Sequence, residues 1–387
     1  MKPIIKIALI VAIIVVVGLI IYFVWSAIAT PAPTVPAAVP NPNLPVAPNG
    51  GGSETQPGAG NSTSSQSIPT LSKISENPVF DYWVDSQTQE VYYLNPDGQV
   101  FSAKSGADLQ ITQQKLSAPN FIDLSPNSQR VLVAFGDPRL PQWGIFDVID
   151  EVWRPLPSNI LNATWGNDSN ILIGFVKNGN NINLSSINIS LNPPTYRIIS
   201  KDVRFQDVKL DSISTSSLII EENSSVGYAG HIWNLSLKDL SLNALFSPEN
   251  GLTVKTSSDK NIMFVFSASG GFRILNAKTL GLAIPVPFST LPSKCSPDSA
   301  IIYCFVPQDD NFRNASLPDD YFQGKFQTKD ILYKIDLAAD DVEPVVLPSN
   351  ATAPIDARNP QFSAGKLYFI NNYDDQLYSL VFSPSGN

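Results

Sequence analysis

The sequence predicts an all-β fold: a ring of seven four-stranded units forming a seven-bladed β-propeller. Three observations carry that prediction. Charged residues are only 15% of the chain while Pro (32) and Gly (22) are plentiful, a mix that suits many short strands joined by turns. A turn-plus-strand unit, seen most clearly in Leu124-Ser125-Pro126-Asn127-Ser128-Gln129-Arg130-Val131-Leu132-Val133-Ala134-Phe135, returns along the chain. The returns are spaced in the forties, the period of a four-stranded propeller blade.

Each part of the unit has a physical reason. Ser, Pro and Asn suit a turn through local hydrogen bonding, a fixed φ and tolerance of left-handed φ respectively. The apolar run that follows is too short for a helix and rich in β-branched residues, as in a strand buried on both faces. Aligned units place second strands near Val91, Val131, Ile171, Leu218, Ile262, Ile301 and Leu367, at spacings of 40, 40, 47, 44, 39 and 66 residues. The outlying 66 is explained by an insertion, Pro307 to Thr328, before the next strand at Ile331. A turn between third and fourth strands recurs as Asp147-Val148-Ile149-Asp150, Lys238-Asp239-Leu240-Ser241, Asn276-Ala277-Lys278-Thr279 and Asp336-Leu337-Ala338-Ala339. The seventh unit lacks a fourth strand, and Ile68 to Ile74 is placed to supply it. Closing the ring with strands from both ends removes exposed sheet edges. Six or eight blades stay open as alternatives, because the third and fourth units depart from the pattern.

Ahead of the ring the chain changes character twice. Residues 1–6 form a short tail bearing Lys2 and Lys6, and Ile7 to Ala29 carries no charge. An apolar run of this length spans a bilayer core of about 30 Å. Tyr22 and Trp25 near its far end suit the interface, and the lysines before it put the N-terminus in the cytoplasm and the rest outside. A cleaved signal peptide is the competing reading, with Ala27-Ile28-Ala29 as its small-residue site. The run exceeds the roughly 7–15 residues of an ordinary signal core, so a signal-anchor is expected. Residues 30–67 are rich in Pro, then in Gly, Ser and Thr, which is the composition of an extended and then flexible linker. The domains expected are therefore a tail 1–6, a transmembrane helix 7–29, a stalk 30–67, an ectodomain 68–383 and a tail 384–387, at the cell membrane.

Charge and composition exclude several functions. Formal net charge is −9, and −11 without Lys2 and Lys6, so the ectodomain lacks the basic footprint that phosphate backbones require. Two Cys and one His, His231, cannot build an ordinary zinc cluster. Paired acids at Asp309/Asp310, Asp319/Asp320, Asp340/Asp341 and Asp374/Asp375 do not alternate as calcium loops do and read as solvated turns. No metal, cofactor or catalytic residue is expected from these patterns, and nothing beside His231 looks like an activated nucleophile.

Two sites stand out. Cys295 and Cys304 flank one turn in the sixth unit and read as a structural disulfide outside the cytoplasm. A tight turn at Pro297-Asp298 would set Cys295 opposite Ile302 and Cys304 diagonally, at about 7–8 Å, so the bridge demands a longer loop. The insertion is the better functional signal. It offers Phe312, Arg313, Asp319, Asp320, Tyr321 and Phe322 for protein or glycan contact, on the face shared by the loops between second and third strands. Against this, Tyr321, Phe322 and Phe326 turned inward would only anchor the loop. Deletion of the insertion distinguishes the two, since a binding loop is removed without loss of stability.

The Ser-Pro-Asn-Ser turn, and most closely Cys295-Ser296-Pro297-Asp298-Ser299-Ala300-Ile301-Ile302-Tyr303, resembles the repeat of TolB-type, WD40-like β-propellers. The segment Pro318 to Gly324 leading to Asp330-Ile331-Leu332-Tyr333-Lys334-Ile335-Asp336 is similar to uncharacterised membrane-anchored propellers of small-genome bacteria. The resemblance covers residues 68 to 383 and implies the fold, since propellers host unrelated activities. The expected function is a membrane-tethered, extracytoplasmic binding or scaffold module for a protein or a cell-envelope polymer. The alternative is an extracytoplasmic hydrolase or lyase acting on glycans. A polar ring of inward residues on the seven first strands, with two or more close acids and a Tyr or Arg, would favour the enzyme.

Overall fold

Seven four-stranded antiparallel sheets follow one another along the chain. The computed structural model describes residues 69–382 apart from 105–106, 206–207, 215, 258–259, 299–300 and 346–353. The expected tail, transmembrane helix and stalk lie outside the described residues. Among the described residues no helix is long and apolar enough to cross a membrane.

Second strands run Val91–Leu94, Arg130–Phe135, Ile171–Asn178, Ser217–Glu222, Ile262–Ser267, Ile301–Pro307 and Lys366–Asn371, each within one residue of its expected start. The seventh blade has strands Ala357–Ser363, Lys366–Asn371 and Gln376–Val381. Its fourth strand is Thr70–Lys73, paired so that Thr70 lies opposite Val381. Closure therefore comes from the segment that precedes blade 1, and it leaves no open seam between first and last units.

Local chemistry repeats with the blades. The side-chain oxygen of Asp147, Asn276 or Asp336 accepts from backbone amides two and three residues on, capping the turn between third and fourth strands. One residue later the chain takes positive φ, at Glu151, Leu280 and Asp340, which turns it into the outer strand. Between first and second strands, Ser125 Oγ accepts from Arg130 N and Ser257 Oγ from Ile262 N, with Ser128 and Lys260 at positive φ.

The first strands form the centre of the ring and are tied side to side. Asp123 of blade 2 accepts from Thr164 and Trp165 N of blade 3, and Asn162 donates to Val208 O of blade 4. Thr256 of blade 5 donates to Asp211 of blade 4, and Lys255 Nζ donates to Cys295 O of blade 6 at 3.0 Å. Phe362 N of blade 7 donates to Ser296, and Tyr82 of blade 1 donates to Asn359 O. Blades 1 and 2 meet through an apolar cluster that includes Trp83, Leu94, Val131 and Phe146. Each blade interface has such a cluster, so burial is spread around the ring instead of collected in one core.

In blade 6 the register corrects the expected turn. Asp298 pairs with Ile301 and Pro297 with Ile302, so Cys295 stands directly opposite Cys304. Their Cα atoms are 4.2 Å apart and the sulfurs are bonded. Pro297 and Asp298 continue the first strand instead of forming the turn.

Candidate functional site: the insertion face and the central channel

In each blade, loops between second and third strands share a face with the connections between blades. The insertion lies there and is ordered into two short helices, α1 (Asp310–Asn314) and α2 (Asp319–Phe322). Its base is closed by Gln308 N donating to Lys329 O and by Lys329 N donating to Asp309.

The six candidate residues separate by environment. Phe312 (3% exposed) and Tyr321 (7%) face the interior, packed with Phe264, Phe266 and Ile302 between blades 5 and 6. This corrects their assignment to an outer binding surface: each aromatic ring hides apolar area worth about 1.5–3 kcal/mol, more than a solvent-facing position returns. Asp319 accepts from Val226 N at 3.2 Å, in the corresponding loop of blade 4. Asp320 accepts from Ser316 N and pairs with Lys325. Arg313 and Phe322 point outward, Phe322 at 56% exposure. Inward folding thus holds for Tyr321 and not for Phe322.

Neighbouring loops complete the platform. Gln327 donates to Asn372 O and Asn372 to Tyr321 Oη, both from blade 7. Gly251, at φ +63°, leaves room for the insertion, since a Cβ there would lie 2.7 Å from Pro318 Cδ. Tyr228, 55% exposed, stands in the blade 4 loop that Asp319 grips.

Beneath the insertion lies a buried charge cluster that the sequence did not announce. Lys294, fully buried in the 3₁₀ turn Pro292–Lys294, shares its three N–H groups among Asp330 Oδ2 (2.7 Å), Asp356 Oδ1 (2.6 Å), Thr328 Oγ1 (3.0 Å) and Ala357 O (3.1 Å). Tyr321 Oη donates to Asp356 at 2.8 Å. Burial opposes the ammonium charge, but Asp330, Tyr321 and Asp356 outweigh it and hold Lys294 protonated, well above its ordinary pKa. Burial raises the Asp330 carboxyl. For Asp356 burial acts the same way, but Lys294 and the Thr328 hydrogen bonds overcome it and hold the carboxyl below its usual range. The cluster ties blade 6, blade 7 and the insertion into one rigid corner. His231 is separate: its Nδ1 meets Glu222 Oε2 at 2.8 Å and its ring stacks on Trp233.

The channel is polar. Asp81, Asp123, Asp211, Lys209, Lys255 and Arg358 come from five first strands. Most are engaged: Lys209 with Glu221 (3.6 Å), Lys260 with Asp211 (3.0 Å), and Arg358 with the carbonyls of Val79 and Phe80. Asp123 is pushed up to about 6 by burial, against the Thr164 hydrogen bond, with the Asp211 charge adding to the rise. Burial lowers Lys255 to about 8, with Asp81 opposing. Among the described residues no group of three or more His, Cys, Asp or Glu is arranged to hold a metal ion.

No protein-family model and no curated protein matches this chain. Solved structures match in shape. The β-propeller domain of Cps50 (Swd1) from Myceliophteria thermophila is 8% identical with a TM-score of 0.50, covering 80% of this chain and 99% of that one. Oligogalacturonate lyase from Vibrio parahaemolyticus is 11% identical with a TM-score of 0.50, covering 83% and 100%. TolB from Acinetobacter baumannii is 11% identical with a TM-score of 0.43, covering 72% and 65%. At these identities the likeness is one of fold alone, and the described residues form a seven-bladed β-propeller.

Proposed function

We propose that this chain is a membrane-tethered, extracytoplasmic propeller that binds a protein or an envelope polymer through its insertion face and is not itself an enzyme. The observation that carries the proposal is the rigid mounting of the insertion. Lys294, Asp356 and Tyr321 fix it from below and Val226 and Asn372 from the sides, while Phe322 and Tyr228 stay exposed. Large exposed aromatics on a preorganised loop are the side chains that dominate interfaces, because little entropy is lost when they are covered. Thr70, opposite Val381, enters the ring on the face away from the insertion.

Deletion of the insertion is a poor test, because it removes Phe312, Tyr321 and Thr328 from buried positions. Point substitutions are better. Cross-linking on intact cells should capture a partner with the unaltered chain, and Phe322→Ala with Tyr228→Ala should lose it while the melting temperature stays unchanged. Capture that persists in the double variant would overturn the proposal.

A second reading, a glycan hydrolase or lyase, is favoured by the polar channel, where Asp123 near pKa 6 lies within electrostatic reach of Asp211. Carboxyls poised in this range serve general acid–base work. The structural likeness to an oligogalacturonate lyase makes polyuronate the first substrate to assay. Turnover abolished by Asp123→Asn would establish this reading, and no turnover by the unaltered chain would dismiss it for that substrate.

A further inference from the structure

On the face opposite the insertion, blades 3 and 4 part to leave a cleft of about 650 Å³. The outer strands on its two sides differ in length. Blade 3 ends in the six-residue strand Thr195–Ser200, whereas blade 4 ends in the three-residue strand Leu242–Ala244. The outer part of the blade 3 sheet is therefore not fully covered by its neighbour.

The cleft has two kinds of lining. Ile171, Ile173, Ile199, Leu237 and Leu240 give it apolar walls, while Arg197 and Lys238 stand on its rim. Register explains the juxtaposition. Ile173, Ser186 and Arg197 lie directly opposite one another across three adjacent strands, so they share a face of the sheet. The guanidinium of Arg197 thus projects from the same surface as the isoleucine. Among the described residues neither Arg197 nor Lys238 has an ion-pair partner. The acid in the lining, Asp168, is occupied in its own turn, accepting from Asn170 N at 2.8 Å and from the Asn170 amide. A cavity of this size is in the usual range for a small ligand, roughly 300–1,000 Å³.

We infer that the cleft between blades 3 and 4 binds a small amphipathic anion, its apolar body against the isoleucines and leucines and its carboxylate or sulfate between Arg197 and Lys238. Two unpaired cations beside apolar walls complement such a molecule in both charge and hydration. A neutral ligand would leave both cations unanswered, and an inorganic anion would leave the apolar walls wet. The site is independent of the insertion and of the channel.

The test is photo-cross-linking of the full chain with a diazirine-bearing dodecanoate, followed by peptide mapping. Labelling should concentrate on residues 166–173, 197–199 and 237–240. It should be competed by dodecanoate and by dodecyl sulfate, and about ten-fold less well by dodecanol, the equivalent of one charge-assisted contact at about 1.4 kcal/mol per decade. Arg197→Glu with Lys238→Glu, both at exposed positions, should lower labelling by roughly ten-fold or more with unchanged circular dichroism. Labelling spread over other blades, or no labelling, overturns the site. Equal competition by dodecanol, or labelling indifferent to the double reversal, overturns the assignment of an anion.

Discussion

Replacing Lys294 by Met keeps the length of the side chain and removes its charge. Among the described residues, Asp330 and Asp356 would then face each other in the interior with Thr328, Tyr321 and backbone amides as their donors. Breaking a buried ion pair by removing one partner costs about 3–5 kcal/mol. The stranded charge is relieved most cheaply by protonating one carboxyl, and Asp330 is already displaced upward by burial. From an ordinary carboxyl pKa, that costs at most about 4 kcal/mol at pH 7 and about 1.5 kcal/mol at pH 5. The sign follows: the variant takes up a proton on folding, so its deficit is largest at neutral pH and shrinks as pH falls toward the unfolded pKa. Denaturant unfolding followed by tryptophan fluorescence should show Lys294→Met destabilised by about 3–4 kcal/mol at pH 7 and by about 1–1.5 kcal/mol at pH 5. Adding Asp330→Asn should recover most of the neutral-pH loss. A deficit below about 1 kcal/mol at pH 7, or one that does not change with pH, would mean that Lys294 does not offset a buried carboxylate charge.

Asp123→Asn keeps an acceptor for Thr164 and Trp165 N and removes a carboxylate whose pKa is raised to about 6. The contribution of Asp123 to wild-type stability falls as pH rises from about 4 through about 6. The variant should therefore match the wild type at pH 4 and exceed it by on the order of 1–2 kcal/mol at pH 7.5, read by melting curves at both values. Gly251→Ala forces a Cβ against Pro318 at positive φ. It should cost about 1–3 kcal/mol and quicken proteolysis within residues 308–329. Cys295→Ala with Cys304→Ala opens a nine-residue separation. It should cost about 2–3 kcal/mol, with the propeller intact by circular dichroism.

The ring was legible in local patterns. Turn chemistry and strand alternation act over a few residues, so Ser125-Pro126-Asn127-Ser128 and Asp147 to Asp150 declare their roles wherever they occur. Their period counts the blades, and the missing fourth strand of the last unit points to the segment around Thr70. The position of the insertion was legible for the same reason. Other features depend on residues far apart in the chain. Lys294, Thr328, Asp330 and Asp356 meet because connections from two blades and the insertion share one face, and no local pattern marks a lysine for burial. The inward turn of Phe312 and Tyr321 was settled by the space between blades 5 and 6. The pairing of Cys295 with Cys304 turned on a register shift of two residues. Nor do composition or spacing reveal the cleft, whose lining comes from separate strands and turns of blades 3 and 4. Short-range chemistry builds each blade, and long-range packing chooses which of its side chains are left facing water.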